Sequence, residues 1–88
     1  SEFIEKNIQI FPNPANLQFK IRNNSDYLLK NALIIDINGR VIEDINLDTA
    51  AIDNTIFLLN YRPGLYFIKI NSNNNYIIKK IIKMWAKR

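Results

Sequence analysis

Tyr61-Arg62-Pro63-Gly64-Leu65-Tyr66-Phe67-Ile68-Lys69-Ile70 is the stretch around which this chain is organised. Proline presets φ for the first corner of a turn and glycine accepts the positive φ of the second, so Pro63-Gly64 reads as a turn that launches a strand. Side chains along a strand alternate with period 2, which puts Tyr66, Ile68 and Ile70 on one face and Leu65, Phe67 and Lys69 on the other. We assign Tyr66, Ile68 and Ile70 to the core. On its own the stretch reads as a buried central strand, which places the fold and names no chemistry.

The strand signals spread outward from this centre. Tyr76-Ile77-Ile78-Lys79-Lys80-Ile81-Ile82-Lys83 returns as a final strand after the Asn71–Asn75 turn, apolar on much of both faces. Upstream, Thr55–Leu59 reads as a short strand, whereas 47–54 is the least regular part, with Thr49-Ala50-Ala51-Ile52 fitting a turn of helix or irregular chain. Ala32 to Ile42 is a hairpin in which Asp36 and Gly39 occupy the first and fourth positions of a type I turn. The expected three-residue loop has Gly39 left-handed as a bulge and pairs Asp36 with Arg40, Ile35 with Val41 and Ile34 with Ile42. A two-residue Asn38-Gly39 turn would instead pair Ile37 with Arg40 and Ile35 with Ile42. Leu17–Arg22 alternates cleanly, with Leu17, Phe19 and Ile21 inward, and ends at the polar turn Asn23–Asp26. Ile8–Phe11 is a short edge strand stopped by Pro12-Asn13-Pro14, where two prolines remove two backbone donors. About seven short strands with regular turn signals predict an all-β fold, an Ig-like antiparallel β-sandwich. A helical period is nowhere sustained.

Eighty-eight residues make one domain, small enough that roughly 60–65% of the chain's surface is buried on folding. Residues 1–6 are read as linker or cloning residues, 7–83 as the β-sandwich, and 84–88 as a basic tail. The net charge of +4 is concentrated at the C-terminus: residues 71–88 hold Lys79, Lys80, Lys83, Lys87 and Arg88 and no acid. Such a cluster suits an anionic surface, or simply an edge strand whose lysines discourage edge pairing.

Composition excludes most chemistry. The chain has no histidine and no cysteine, which removes the usual general base, the nucleophile activator, the thiolate ligand and any disulfide. Two glycines do not make a phosphate-binding loop. The adjacent carboxylates Glu43 and Asp44 point to opposite faces of a strand and cannot flank one substrate bond. Asp44, Asn46 and Asp48 have the spacing of a calcium loop, but Thr49 stands where such a loop needs glycine and Thr55 where it needs the bidentate acid. No catalytic residue, metal ligand or cofactor is therefore expected. Lys20, Arg22, Tyr27, Phe67 and Lys69 interleave bases with aromatics as a single-strand nucleic-acid platform does, yet strand alternation produces the same pattern, and no nucleic acid is expected. The apolar runs are too short to span a bilayer, so no membrane insertion is expected either.

Four segments in order resemble one family, the C-terminal sorting domains of proteins exported by the type IX secretion system of Bacteroidota. They are Phe11-Pro12-Asn13-Pro14-Ala15, Asp36-Ile37-Asn38-Gly39-Arg40, Pro63-Gly64-Leu65-Tyr66 and the Lys-rich end Lys79-Lys80-Ile81-Ile82-Lys83. The resemblance covers residues 8–83, although the family usually ends near the last of these segments and this chain continues through Met84–Arg88. It implies a targeting module fused behind an N-terminal cargo. The cargo would cross the periplasm, be read by the outer-membrane translocon, and reach the cell surface or medium after removal of the domain by a sortase-like protease. Lys79, Lys80, Ile81, Ile82 and Lys83 are the candidate contact, as exposed lysines on an edge open to strand addition. Phe11, Pro12, Asn13, Pro14, Asp36, Gly39, Arg40, Pro63, Gly64 and Tyr66 are expected mainly to shape the fold. An adhesion or carbohydrate-binding module is the competing reading, and would need an aromatic shelf of Phe67, Tyr76 or Trp85.

Overall fold

The computed structural model describes residues 7–85, so the expectations for residues 1–6 and for Ala86, Lys87 and Arg88 lie outside the described residues. Seven strands form two antiparallel sheets: β1 (Ile8–Phe11), β2 (Gln18–Asn23) and β5 (Asp53–Phe57) in the order β1-β2-β5, and β3 (Asn31–Ile35), β4 (Val41–Asn46), β6 (Gly64–Asn71) and β7 (Tyr76–Lys83) in the order β4-β3-β6-β7. This is the all-β architecture expected, an Ig-like sandwich in which β6 lies between β3 and β7 in the larger sheet.

The core lies between the sheets, where alternate residues of each strand meet. Ile8, Phe19, Ile21 and Ile56 enter from the three-stranded sheet, and Ala32, Ile34, Tyr66, Ile68, Ile70, Ile77 and Ile81 from the other. Ala15, Leu29, Leu47 and Leu58 seal it from the connections. Tyr66, Ile68 and Ile70 are all buried, as the alternation in β6 requires. Gly64 takes φ +145° and Gly39 φ +83°, conformations that a side chain disfavours.

Three expectations need correction. Leu17 does not join the core: it is 47% exposed and lies one residue before β2, where its carbonyl accepts from Leu58 N–H at 2.8 Å just past the last pair of the sheet. The strand expected at Thr55–Leu59 runs Asp53–Phe57. Arg22 fixes its start with two contacts to Asp53 at 2.8 and 2.9 Å, and a turn closed by Tyr61 N–H to the Leu58 carbonyl, 3.0 Å, takes its end. In the hairpin, Asp36 N–H donates to the Arg40 carbonyl and Ile35 pairs with Val41 as expected, but Ile34 pairs with Glu43, not with Ile42. A register shift between Ile34 and Ile35 makes the difference. Without it, period-2 alternation would turn Asp44 toward the core and Ile45 outward; with it, Ile45 packs against the core and Glu43 accepts a hydrogen bond from the Tyr61 hydroxyl.

Candidate functional site

The four motif segments do different structural work, and two of them meet. Asp36 is the hub of its hairpin: Oδ1 accepts from the backbone N–H of Asn38 and of Arg40, and Oδ2 from Arg40 Nε, all at 2.9 Å. These bonds, the Arg40 N–H first among them, hold the Asp36 carboxyl below its ordinary value against the opposing effect of partial desolvation. Tyr66 donates from its hydroxyl to the Arg62 carbonyl at 2.7 Å, bracing the turn at Pro63-Gly64 from inside, and its ring packs 5.4 Å from that of Tyr61. Burial, reinforced by Glu43, pushes the Tyr61 phenol up, so it stays a neutral donor.

The Phe11–Ala15 segment lies along the outer edge of β7. Asn13 Nδ2 donates to the Lys80 carbonyl at 3.0 Å, and Ile82 N–H donates to Asn13 Oδ1 at 3.1 Å. Ala15 N–H then donates to the Ile82 carbonyl and Met84 N–H to the Ala15 carbonyl, both at 2.7 Å, making a short parallel bridge with Lys83. The peptide bonds before Pro12 and Pro14 are both cis. Sequence reading assigned Asn13 a structural role without seeing its partner. The signal was a lone amide between two prolines, a residue able to act as both donor and acceptor.

The five candidate contact residues are not brought onto one surface. Strand alternation sends Ile77, Lys79, Ile81 and Lys83 one way and Tyr76, Ile78, Lys80 and Ile82 the other. Ile81 is fully buried and Lys79 partly so, while Lys80 and Ile82 are exposed. Lys83 corrects the expectation of an exposed lysine: it is 5% accessible, with Nζ donating to the Met84 carbonyl at 2.9 Å. A long side chain at the last inward position of a strand lays its methylenes against the core and turns its ammonium to the nearest carbonyl. Nor is the edge wholly open, since Asn13 and Ala15 occupy its C-terminal half.

The remaining expected constellations disperse. Lys20 and Arg22 lie on the outer face of the three-stranded sheet, Phe67 and Lys69 on that of the four-stranded sheet, so they do not form one stacking platform. Tyr76 and Trp85 are 58% and 80% exposed but stand at opposite ends of β7, with Phe67 opposite Lys80 between them; no shelf results. Among the described residues no helix is long and apolar enough to cross a membrane.

The four motif segments are thus spent on a turn, a hairpin and a sheet edge of a small β-sandwich. Residues 9–84 match the model of the secretion system C-terminal sorting domain, and the chain belongs to that family, the sorting signals of type IX secretion. The family is non-catalytic, and membership implies export to the cell surface or beyond. No curated protein matches the chain.

Proposed function

We propose that this domain is the signal by which an N-terminally fused cargo, in transit through the periplasm, is handed to the type IX outer-membrane translocon. A sortase-like protease then removes the domain at the surface, and the cargo is left there or released. Residues 7–83 are the folded signal and 84–88 a basic tail, with no cofactor, metal or catalytic group of its own. Of the candidate run, Lys80 and Ile82 are the side chains available for contact. The observation that carries the reading is the family match over residues 9–84; the fold supports it, because its turns and edges are built from the residues of the shared motifs.

The test is a fusion of the 88-residue chain behind a periplasmic reporter in a type IX-competent bacterium. The fusion should reach the surface or medium while the reporter alone stays inside. Periplasmic retention of a folded fusion, in cells that export their own substrates, would reject the sorting function.

A further inference from the structure

The two outer faces of the sandwich meet the same solvent and are finished differently. On the three-stranded sheet six polar side chains, Gln9, Gln18, Lys20, Arg22, Asp53 and Thr55, point outward together with two aromatics, Phe11 and the 63% exposed Phe57. Arg22 is paired with Asp53 there and stacked over Phe11 at 4.7 Å. On the four-stranded sheet the outward residues are mainly apolar: Leu33 and Ile35 of β3, Leu65 and Phe67 of β6, and Ile78 and Ile82 of β7. An isoleucine-rich composition does not account for this, since one chain builds both faces. Three strands about 4.8 Å apart, each contributing roughly 20 Å of length, make a face of about 300 Å², the size at which the largest apolar patch of a monomer is often functional.

Two lysines sit within it. Lys80 lies opposite Phe67, and Lys69 lies between Leu33 and Ile78 with Nζ 4.4 Å from the Tyr76 ring centroid. Neither forms an ion pair among the described residues. The patch also runs on to the part of the β7 edge that Asn13 leaves open, where the outward N–H and C=O of Ile78 have no partner among the described residues.

We propose that this face is where the secretion machinery docks, and that the docking surface is a protein one, apolar with carboxylates placed for Lys69 and Lys80. The proposal rests on the sorting function above. A second copy of the chain fits less well: Asp44 is the carboxylate on the face, and its Oδ1 already accepts from Asn31 Nδ2 at 2.9 Å. A lipid surface supplies anions for the lysines but no backbone for the open edge at Ile78.

The reporter fusion of the 88-residue chain tests this with two variants, Lys69→Glu/Lys80→Glu and Ile78→Thr/Ile82→Thr, the second keeping β-branched residues on the strand. Each should lower the exported fraction at least tenfold with an unchanged denaturation midpoint, whereas Lys20→Glu/Lys30→Glu, the same charge change elsewhere, should stay within twofold of wild type. Export at the wild-type level in both face variants overturns the proposal and leaves the sorting function standing. Retention of the wild-type fusion overturns both. Sedimentation of the isolated domain, and pelleting with phosphatidylglycerol vesicles, address the other occupants: a dimer, or vesicle binding, that the face variants abolish while export persists assigns the face to that occupant and overturns the proposal.

Discussion

Asn13→Ala removes one side chain and two hydrogen bonds, those to the Lys80 carbonyl and from the Ile82 N–H. Each is worth about 0.5–1.5 kcal/mol net, and because the site is exposed, water can replace the lost partners, so the expected destabilisation is about 1–2 kcal/mol. With a urea m-value near ~1.5 kcal/mol/M for a domain of this size, the midpoint should fall by about 1 M. The loss should be local as well as global, and amide exchange at Ile82 should quicken beyond the change in overall stability. Asn13→Asp separates the two bonds: a carboxylate still accepts from Ile82 N–H but cannot donate to the Lys80 carbonyl. That variant should keep Ile82 protected while losing part of the stability. An unchanged midpoint together with unchanged exchange at Ile82 in Asn13→Ala would refute the clamp.

Gly64→Val and Gly39→Val should each cost on the order of 1–3 kcal/mol through positive φ alone; no atom lies within 4 Å of where a Cβ would stand at either site, so equal losses for Ala and Val would point to the backbone and an excess for Val to crowding. Ile68→Ala and Tyr66→Ala should cost roughly 2–5 kcal/mol while Lys69→Ala stays within about half a kcal/mol, and the reverse order of denaturant midpoints would invert the faces of β6. Lys83→Gln, which shortens a buried stem, should destabilise by about 1–2 kcal/mol while Lys80→Gln stays near neutral; equal midpoints would place Lys83 in solvent. Asp36 and Asp53 both have carboxyls held below the ordinary 3.8, Asp53 chiefly by its hydrogen bond from Arg22. The unfolded chain therefore binds protons first, and stability present above about pH 4 should fall as pH drops through the depressed folded values. Asp36→Asn should flatten that acid limb in a melting-temperature series, and an unaltered slope would mean that Asp36 titrates alike in both states.

Elements whose signal is local were legible in the sequence. Period-2 alternation placed Tyr66, Ile68 and Ile70 because both neighbours of β6 are strands and its inward face meets only core. The Asp36–Arg40 loop was legible because its bonds close within five residues. What escaped depends on distant partners. The hairpin bulge is set by the need to bury Ile45 rather than Asp44, which no window around Gly39 contains. Asn13 meets β7 across 67 residues of chain. Lys83 reads as exposed by charge, although the same alternation that buries Ile77 and Ile81 places it inward. The apolar outer face was half visible, since β7 is apolar on both sides; its extent needed the β3–β6–β7 register.

A folded β-domain stays monomeric only if its sheet edges are kept from pairing with other chains, and sheet edges are where unwanted pairing starts. The edges of this sandwich are managed one by one. β1 is four residues long and stops at proline; β5 carries Asp53 in an ion pair; β4 carries Glu43 and Asp44, each engaged by a neighbouring side chain. β7, the longest edge strand, is closed by Asn13 and Ala15 over its C-terminal half. The open remainder around Ile78 borders the apolar outer face rather than the polar one. On β7 the backbone groups left able to accept a strand thus lie beside the apolar outer face, and the Pro-Asn-Pro-Ala segment covers the rest of that edge.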